Sequence, residues 1–519
     1  MSSYWEQRAA DSIGRMEKAV NGQIPDLVDA FEAAKRDLND QVERFFVRYA
    51  KNNKISLAEA QRQLSLSELK DFRGSLAEYE KLAKDSIGTF NLQVDNLSVK
   101  ARVTRYEALL AQCDGVLQKL YQEQKKQIEG TATNVYTSEY YHRLFDIEKY
   151  TGFKFKYSQL ADSAIKKVIE QPVYGMDISE HLWRQDIDTG FKIRQTLNNM
   201  FVTGRPPQDF ADQLQKQIGA VRMDADGNVT GTGKKYEAYR LLYNESAHAT
   251  GQANLQAYED DGIDEYEIVA ALDRTTCDEC GSLDGKHYPR SEAVEGVNYP
   301  PIHVNCRCVA APYIDTGFSS SRMSRDPVMG KSVPTTAQTY DEWKTQQDEL
   351  HGAGTVDTER KKAQNETSDF QQYQKYKTIL KENSPQTFAN FQDMKYNNTG
   401  EFQQMQRQAK MFQKIESGQS YSPEYREKLK DTYRFFRKNG FEFTAHALNR
   451  TVGQKHSTDK VNFTQEELLK VLKKKPNYEQ SDGKQVRFYG SIAVIQAQDT
   501  GEIVSVVTRS KPKTDWRGI

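Results

Sequence analysis

Four of the five cysteines of this 519-residue chain fall in one short stretch, as Cys277-x2-Cys280 followed by His303-x2-Cys306-x-Cys308. Two close-spaced pairs facing each other across a loop are the pattern of a structural zinc site, because zinc takes four thiolate or imidazole donors in a tetrahedron and a Cys-x2-Cys turn supplies two of them. Five candidates stand for four positions, so four cysteines, or three cysteines with His303, both satisfy the metal. Disulfides and free thiols are the competing readings. A thiolate-rich shell leaves no open position for water, so the metal expected is structural rather than catalytic. The second group with possible chemistry lies near the C-terminus. His446 and Arg450 are four apart and share a helix face, and Arg487 and Tyr489 alternate with Val486 and Phe488, which puts the polar pair away from the aliphatic core. A last strand ends in Thr508-Arg509-Ser510-Lys511. A near-neutral histidine, guanidinium groups for a phosphate and strand hydroxyls are what metal-independent RNA cleavage needs: a 2′-hydroxyl loses a proton, the leaving oxygen gains one, and the phosphorane charge is held. The same residues also read as a packed histidine beside a solvated basic face.

The elements that must position these groups are helices first. Leu27, Phe31, Ala34, Leu38, Val42, Phe45 and Tyr49 recur at spacings of three and four, and so do Val103, Tyr106, Leu110, Cys113, Leu117 and Leu120. Ser56 with Glu59 forms the sequence signature of a capping box for a further helix. Cys113 belongs to the apolar stripe and reads as a small buried hydrophobe. The expected fold is multidomain: a mainly α helical region over 1–150, an α+β zinc-stabilised core over 151–315, a linker with polar, loosely packed helices over 316–420, and a small α+β domain over 421–519 in which helices precede an antiparallel sheet. In that last domain a helix is expected from Pro423 to Lys438, a capped helix starting at Thr464 and Glu467, and strands over Gln485–Tyr489, Ser491–Gln496 and Glu502–Arg509.

Composition narrows the class. Hydrophobic residues make up 37% and charged residues 28%, yet 28 Tyr and 23 Phe argue against wholesale disorder. No window approaches the roughly 18 apolar residues of a membrane span, and Glu6, Arg8 and Asp11 stand where a signal peptide would be apolar. The formal net charge of −1 hides an asymmetry, since residues 421–519 carry 19 Lys and Arg against 12 Asp and Glu while the rest carries 53 against 61. A basic module on an acidic carrier suggests a polyanionic partner.

Tyr243-Asn244-Glu245-Ser246 with His248, Ala271 to Cys277-x2-Cys280, Leu283-Asp284-Gly285-Lys286 and Pro300-Pro301-Ile302-His303-Val304-Asn305-Cys306-Arg307-Cys308 together resemble the MuF family, the minor head or head-morphogenesis proteins of tailed bacteriophages. The likeness extends over about residues 1–315; Val304 stands where the family often has proline. It implies a virion protein inside the capsid near the portal, with the portal, other head proteins and packaged DNA as partners, involved in head morphogenesis and in DNA packaging or ejection. Glu245 and His248 are expected to be structural. His-Ala-x-x-Arg from His446, a second helix, Tyr478-x3-Asp482-Gly483-Lys484 and the terminal strands are similar to the barnase, EndoU, colicin and RelE-like nuclease domains that end such phage proteins and bacterial toxins. This second resemblance implies His446 as acid or base, Arg450 and Arg487 as phosphate ligands, Thr508 as a hydrogen-bonding partner and His456 as a second acid or base. It further implies an RNA substrate in a bacterial cytoplasm, no metal in that step and an immunity protein in the producing cell. The alternative is a wholly structural virion protein whose basic C-terminal domain binds packaged nucleic acid without cutting it.

Overall fold

The structure, a computed structural model, describes residues 3–53, 105–152, 159–203, 207–223, 229–313, 322–418, 421–452 and 463–519. The chain divides into two compact units, Met1–Thr367 and Ser368–Ile519. No described helix is long and apolar enough to cross a membrane.

The first unit is built on long helices. α1 (Ser3–Asn21), α2 (Ile24–Asn53) and α3 (Arg105–Thr151) are followed by α4 (Asp162–Ile169), α5 (Ile178–Thr203) and α6 (Pro207–Ile218). The stripe read from the sequence is the buried face of α2: Leu27, Phe31, Ala34, Leu38, Val42 and Phe45 are all buried, as are Leu110, Cys113, Leu117 and Leu120 of α3. Cys113 behaves as a hydrophobe, and burial pushes its thiol up to about 12. The helix expected after Ser56 lies outside the described residues.

An antiparallel hairpin of β1 (Ala220–Met223) and β2 (Val229–Thr232) leads into α7 (Gly233–Asp260), the spine of the unit. α7 is not amphipathic. Ala238, Ala247, Ala249, Ala253 and Ala257 are buried on one helix together with the polar Asn244, Glu245, Ser246, His248 and Asn254, so protein surrounds it on every side. Gly251 marks its closest approach to a neighbour, since a Cβ there would stand 2.6 Å from the Pro300 carbonyl oxygen. The Tyr299 hydroxyl donates to the Gly251 carbonyl at 2.7 Å across that contact.

β3 (Glu265–Val269) is the centre of a three-stranded antiparallel sheet, flanked by β4 (His287–Pro289) and β5 (Val309–Pro312). The one-turn α8 (Asp278–Leu283) sits between β3 and β4. A second hairpin, β6 (Arg322–Arg325) with β7 (Ser332–Thr335), precedes α9 (Tyr340–His351) and α10 (Ala353–Gln364). α9 closes over α8: Tyr340 is buried against Gly281, where a Cβ would stand 2.4 Å from its ring.

The second unit starts earlier than the basic composition does. α11 (Glu366–Leu380), α12 (Phe388–Asn397) and α13 (Thr399–Glu416) were expected as loosely packed polar helices. They instead place Tyr373, Leu380, Phe391, Met405 and Phe412 in one core with Leu429, Tyr433, Leu448, Leu468 and Val494. Many polar residues on a helix hide a narrow apolar stripe from a composition reading, and that stripe is enough to dock it. α14 (Pro423–Lys438) has the expected bounds, with Ser422 as its N-cap. α15 (Ala445–Val452) and α16 (Gln465–Leu472) follow, and Thr464 with Glu467 forms both bonds of the capping box. The terminal sheet has five antiparallel strands in the order β11-β10-β9-β8-β12: β8 (Tyr478–Glu479), β9 (Gln485–Tyr489), β10 (Ile492–Gln496), β11 (Ile503–Thr508) and β12 (Arg517–Gly518).

Sheet facing corrects one expectation. Arg487 pairs with Val494, which pairs with Val506, and both valines are buried in the helical core. Arg487 and Tyr489 therefore lie on the face that the helices cover. Val486 and Phe488 face the other way, into a second small core with Ala493 and Trp516. Alternation groups residues by face but does not say which face is covered, and here Trp516 covers the second one from 30 residues downstream of Val486.

Candidate functional site

The cysteines meet where β3, α8 and β5 converge. Cys277 is the N-cap of α8, and its sulfur accepts the Cys280 backbone N–H at 3.3 Å, so this turn points both thiols the same way. The opposite side is the run from His303 to Cys308. His303 Nδ1 lies 2.9 Å from the Val304 carbonyl, which fixes the proton on Nδ1 and leaves the Nε2 lone pair facing the thiols. Nε2 stands 3.1 Å from both the Cys277 and the Cys280 sulfur. Cys280 and Cys306 sulfurs are 3.8 Å apart. The donors form two overlapping groups that share Cys280: Cys277, Cys280 and His303, and Cys280, Cys306 and Cys308.

The separation of the Cys280 and Cys306 sulfurs fits a tetrahedral ion. At a Zn–S bond of about 2.3 Å, two thiolates on one ion stand about 3.8 Å apart, the separation found for Cys280 and Cys306. None of the five cysteines is in a disulfide. Cys280, Cys306 and Cys308 are buried, while Cys277 and His303 are half-buried at the rim. A hydrogen bond with Cys280 and a second with Cys308 lower the Cys306 thiol, while Cys280 is raised by its bond with Cys306 and Cys308 by its bond with Cys280. The five residues could thus hold one metal ion.

Three contacts outside the donor set brace the two turns, and the first links one turn to the other. Arg307, between two of the cysteines, makes a two-pronged pair with Asp273 at 2.8 and 2.8 Å. Asp273 also accepts the Thr275 and Thr276 backbone N–H groups, turning the chain into Cys277. Burial opposes its charge, yet the Arg307 guanidinium holds its carboxyl far below the usual carboxylate range. Asn305 adopts a left-handed φ of 61°, which asparagine tolerates, and its N–H donates to Asn244 of α7 at 2.8 Å. Asp284, with a side chain 0% exposed, bonds the Ala270 N–H at 2.7 Å and the Arg322 guanidinium at 2.7 Å. A lone Asp or Arg beside a Cys motif carries no periodic signal, so these clasps were not read from the sequence.

Residues 191–311 match the family described as Phage Mu protein F like protein.

No curated protein and no solved structure matches the chain. The Mu F-like segment runs from within α5 through α7 to β5 and contains all five metal-site candidates. Glu245 and His248 lie in the same segment. His248 Nδ1 meets Glu295 at 2.6 Å and Nε2 lies 3.4 Å from the Val168 carbonyl, so both ring nitrogens are engaged.

Glu245 is buried, and its Oε1 finds no partner among the described residues. Burial, with Glu295 and Asp177 nearby, pushes its carboxyl up to about 8. Burial likewise raises Glu6, Glu267 and Asp186 to about 7. A carboxyl raised on folding stabilises fully below its unfolded value near 4.5, and that contribution is lost as pH rises through the folded value. The melting temperature of the first unit is therefore expected to fall between about pH 5 and pH 9. Glu245→Gln should flatten the upper part of that fall in a pH series of thermal melts; an unchanged slope would show that Glu245 ionises normally.

In the second unit the nuclease candidates are not joined. His446 and Arg450 are exposed on one face of α15. Arg487 spends its Nε on the Lys474 carbonyl at 2.8 Å and its Nη1 on Gln496 at 2.5 Å, and burial lowers its basicity. Thr508 shares the Arg487 face, with its hydroxyl buried and unpartnered among the described residues. No hydrogen bond or ion pair links these four to one another among the described residues. His456 lies outside the described residues.

Proposed function

We infer that this is a bacteriophage head-morphogenesis protein whose Cys/His centre carries a structural zinc ion, and whose C-terminal unit acts on nucleic acid. The observation that carries the reading is the convergence of Cys277, Cys280, His303, Cys306 and Cys308 inside the Mu F-like segment. Zinc there would hold the polar loop between α8 and β5 in place; the chain's own residues supply the two turns, the orienting Val304 carbonyl and the Asp273–Arg307 clasp. In this reading the protein resides within the capsid near the portal, with head proteins and packaged DNA as neighbours, and contributes to packaging or ejection.

For the C-terminal unit the reading is a metal-independent endoribonuclease with His446 as acid or base, Arg450 beside it on the phosphate, and an immunity protein guarding the producing cell. Exposure of His446 and Arg450 on a common face supports it. A second reading, nucleic-acid binding without cleavage, is favoured by the engagement of Arg487 with Lys474 and Gln496. A fragment over 368–519, which keeps the helices that fill its core and omits the metal centre, separates the two when incubated with bacterial RNA in excess chelator. The cleavage reading expects His446→Ala to slow cutting by about 10²–10⁴-fold, the worth of a positioned acid or base. Equal, trace-level cutting by parent and variant leaves the binding reading.

A further inference from the structure

The C-terminal sheet is electrically polar along its strands. β9, β10 and β11 are antiparallel neighbours, so the start of β9, the end of β10 and the start of β11 lie at one end, where the exposed charged residues are Asp482, Asp499 and Glu502. Lys484, the nearby cation, is paired with Asp482. The other end, about 13 Å away along four residues of strand, carries the opposite charge. There the turn after Tyr489 meets the end of β11 through Arg509 N–H donating to the Ser491 carbonyl at 2.8 Å. The Tyr489 hydroxyl donates to the Lys475 carbonyl at 2.9 Å, which brings the Lys473-Lys474-Lys475 run at the end of α16 to the same place. The chain leaving β11 adds Lys511 and Lys513.

Two of these cations are held in place by rings: Lys474 Nζ lies 4.4 Å from the Tyr489 ring centre, and the Arg509 guanidinium 5.8 Å from that of Trp516. Elsewhere in the unit, on α14, Arg426, Lys430, Arg434 and Arg437 are each in ion pairs. Among the described residues none of Lys473, Lys474, Lys475, Arg509, Lys511 and Lys513 is, and Asp515 is the one acid in this stretch of chain. The Tyr489 and Trp516 rings lie on opposite faces of the sheet, so the six unneutralised cations flank this end from both sides and suit successive phosphates rather than an isolated anion.

We propose that the sheet end formed by the Lys473–Lys475 run, Arg509, Lys511 and Lys513 is the docking site for the phosphodiester backbone of a nucleic-acid strand. The inference rests on reading the C-terminal unit as one that acts on nucleic acid, and it places strand capture on residues other than His446 and Arg450. The acidic far end repels phosphates, so the strand is held at the basic end alone.

The test uses the full chain and short fluorescein-labelled uridine and thymidine oligonucleotides, with anisotropy read from about 50 to about 200 mM salt. Neutralising Lys473, Lys474 and Lys475 to glutamine is expected to weaken binding by about tenfold or more at the low-salt end. It should also flatten the plot of log affinity against log salt by about 2, at roughly 0.7 for each phosphate that is no longer neutralised. Arg509→Gln with Lys511→Gln, on a different element, should act in the same direction, and Lys484→Gln should leave binding unchanged. Weakening on the uridine strand alone assigns the surface to RNA, and weakening on both assigns it to the shared backbone. Unchanged binding in both multiple variants overturns the proposal, and if the parent still cuts RNA the cleavage reading survives it. A parent that neither binds nor cuts removes both.

Discussion

Cys280→Ser is expected to leave the full chain without stoichiometric zinc and to expose the segment between α8 and β5 to protease. Cys280 is the donor common to both groups of the candidate centre, within 3.1 Å of His303 Nε2 and 3.8 Å of the Cys306 sulfur. Without it each group of three close donors loses a member. Structural zinc binds small modules with about 10–16 kcal/mol. Part of the local fold here has its own core, in which Tyr266, Ile268, Tyr299 and Val309 are buried, so the expected destabilisation is smaller, about 5 kcal/mol. That is still of the order of a whole domain's stability. Cys308→Ser and His303→Ala each remove a donor that belongs to one group only, so at least one of them should retain zinc by elemental mass spectrometry. One full equivalent of zinc in Cys280→Ser would sink this account of the centre.

Arg322→Met is expected to destabilise the first unit by about 3–5 kcal/mol, the cost of removing one partner of a buried ion pair. The Arg322 guanidinium contacts Asp284 at 2.7 Å and donates to the Ala270 and Gln338 carbonyls at 2.9 and 2.7 Å, with Glu6 at 3.5 Å. Asp284 and Arg322 side chains are 0% and 4% exposed. Burial raises the Asp284 carboxyl despite the pair, and Glu6 and Glu267 nearby are pushed up to about 7. Without the cation all three charges are uncompensated, so the defect is expected to be largest at alkaline pH and to shrink below about pH 5, where the carboxyls take up protons. Urea unfolding at two pH values measures it. A defect equal at both would point to packing rather than charge as its cause.

The parts of this protein legible in the sequence are those written in local spacing. The stripe on α2, the bounds of α14, the Thr464–Glu467 box and the run of β9 follow from side chains a few residues apart, because helix and strand periods fix which of them share a face. The Cys277-x2-Cys280 and His303-to-Cys308 spacings likewise announce the centre, since each turn orients its own donors before any tertiary contact forms. Tertiary structure decided the rest. Asp273 with Arg307, Asp284 with Arg322 and Asn244 with Asn305 are 34, 38 and 61 positions apart, and nothing periodic links such partners. Packing also drew the Gln- and Lys-rich helices α11 to α13 into the core of the second unit. It turned Arg487 toward those helices as well, because Trp516 rather than solvent covers the opposite face of the sheet, and a period of two is the same pattern whichever face is buried.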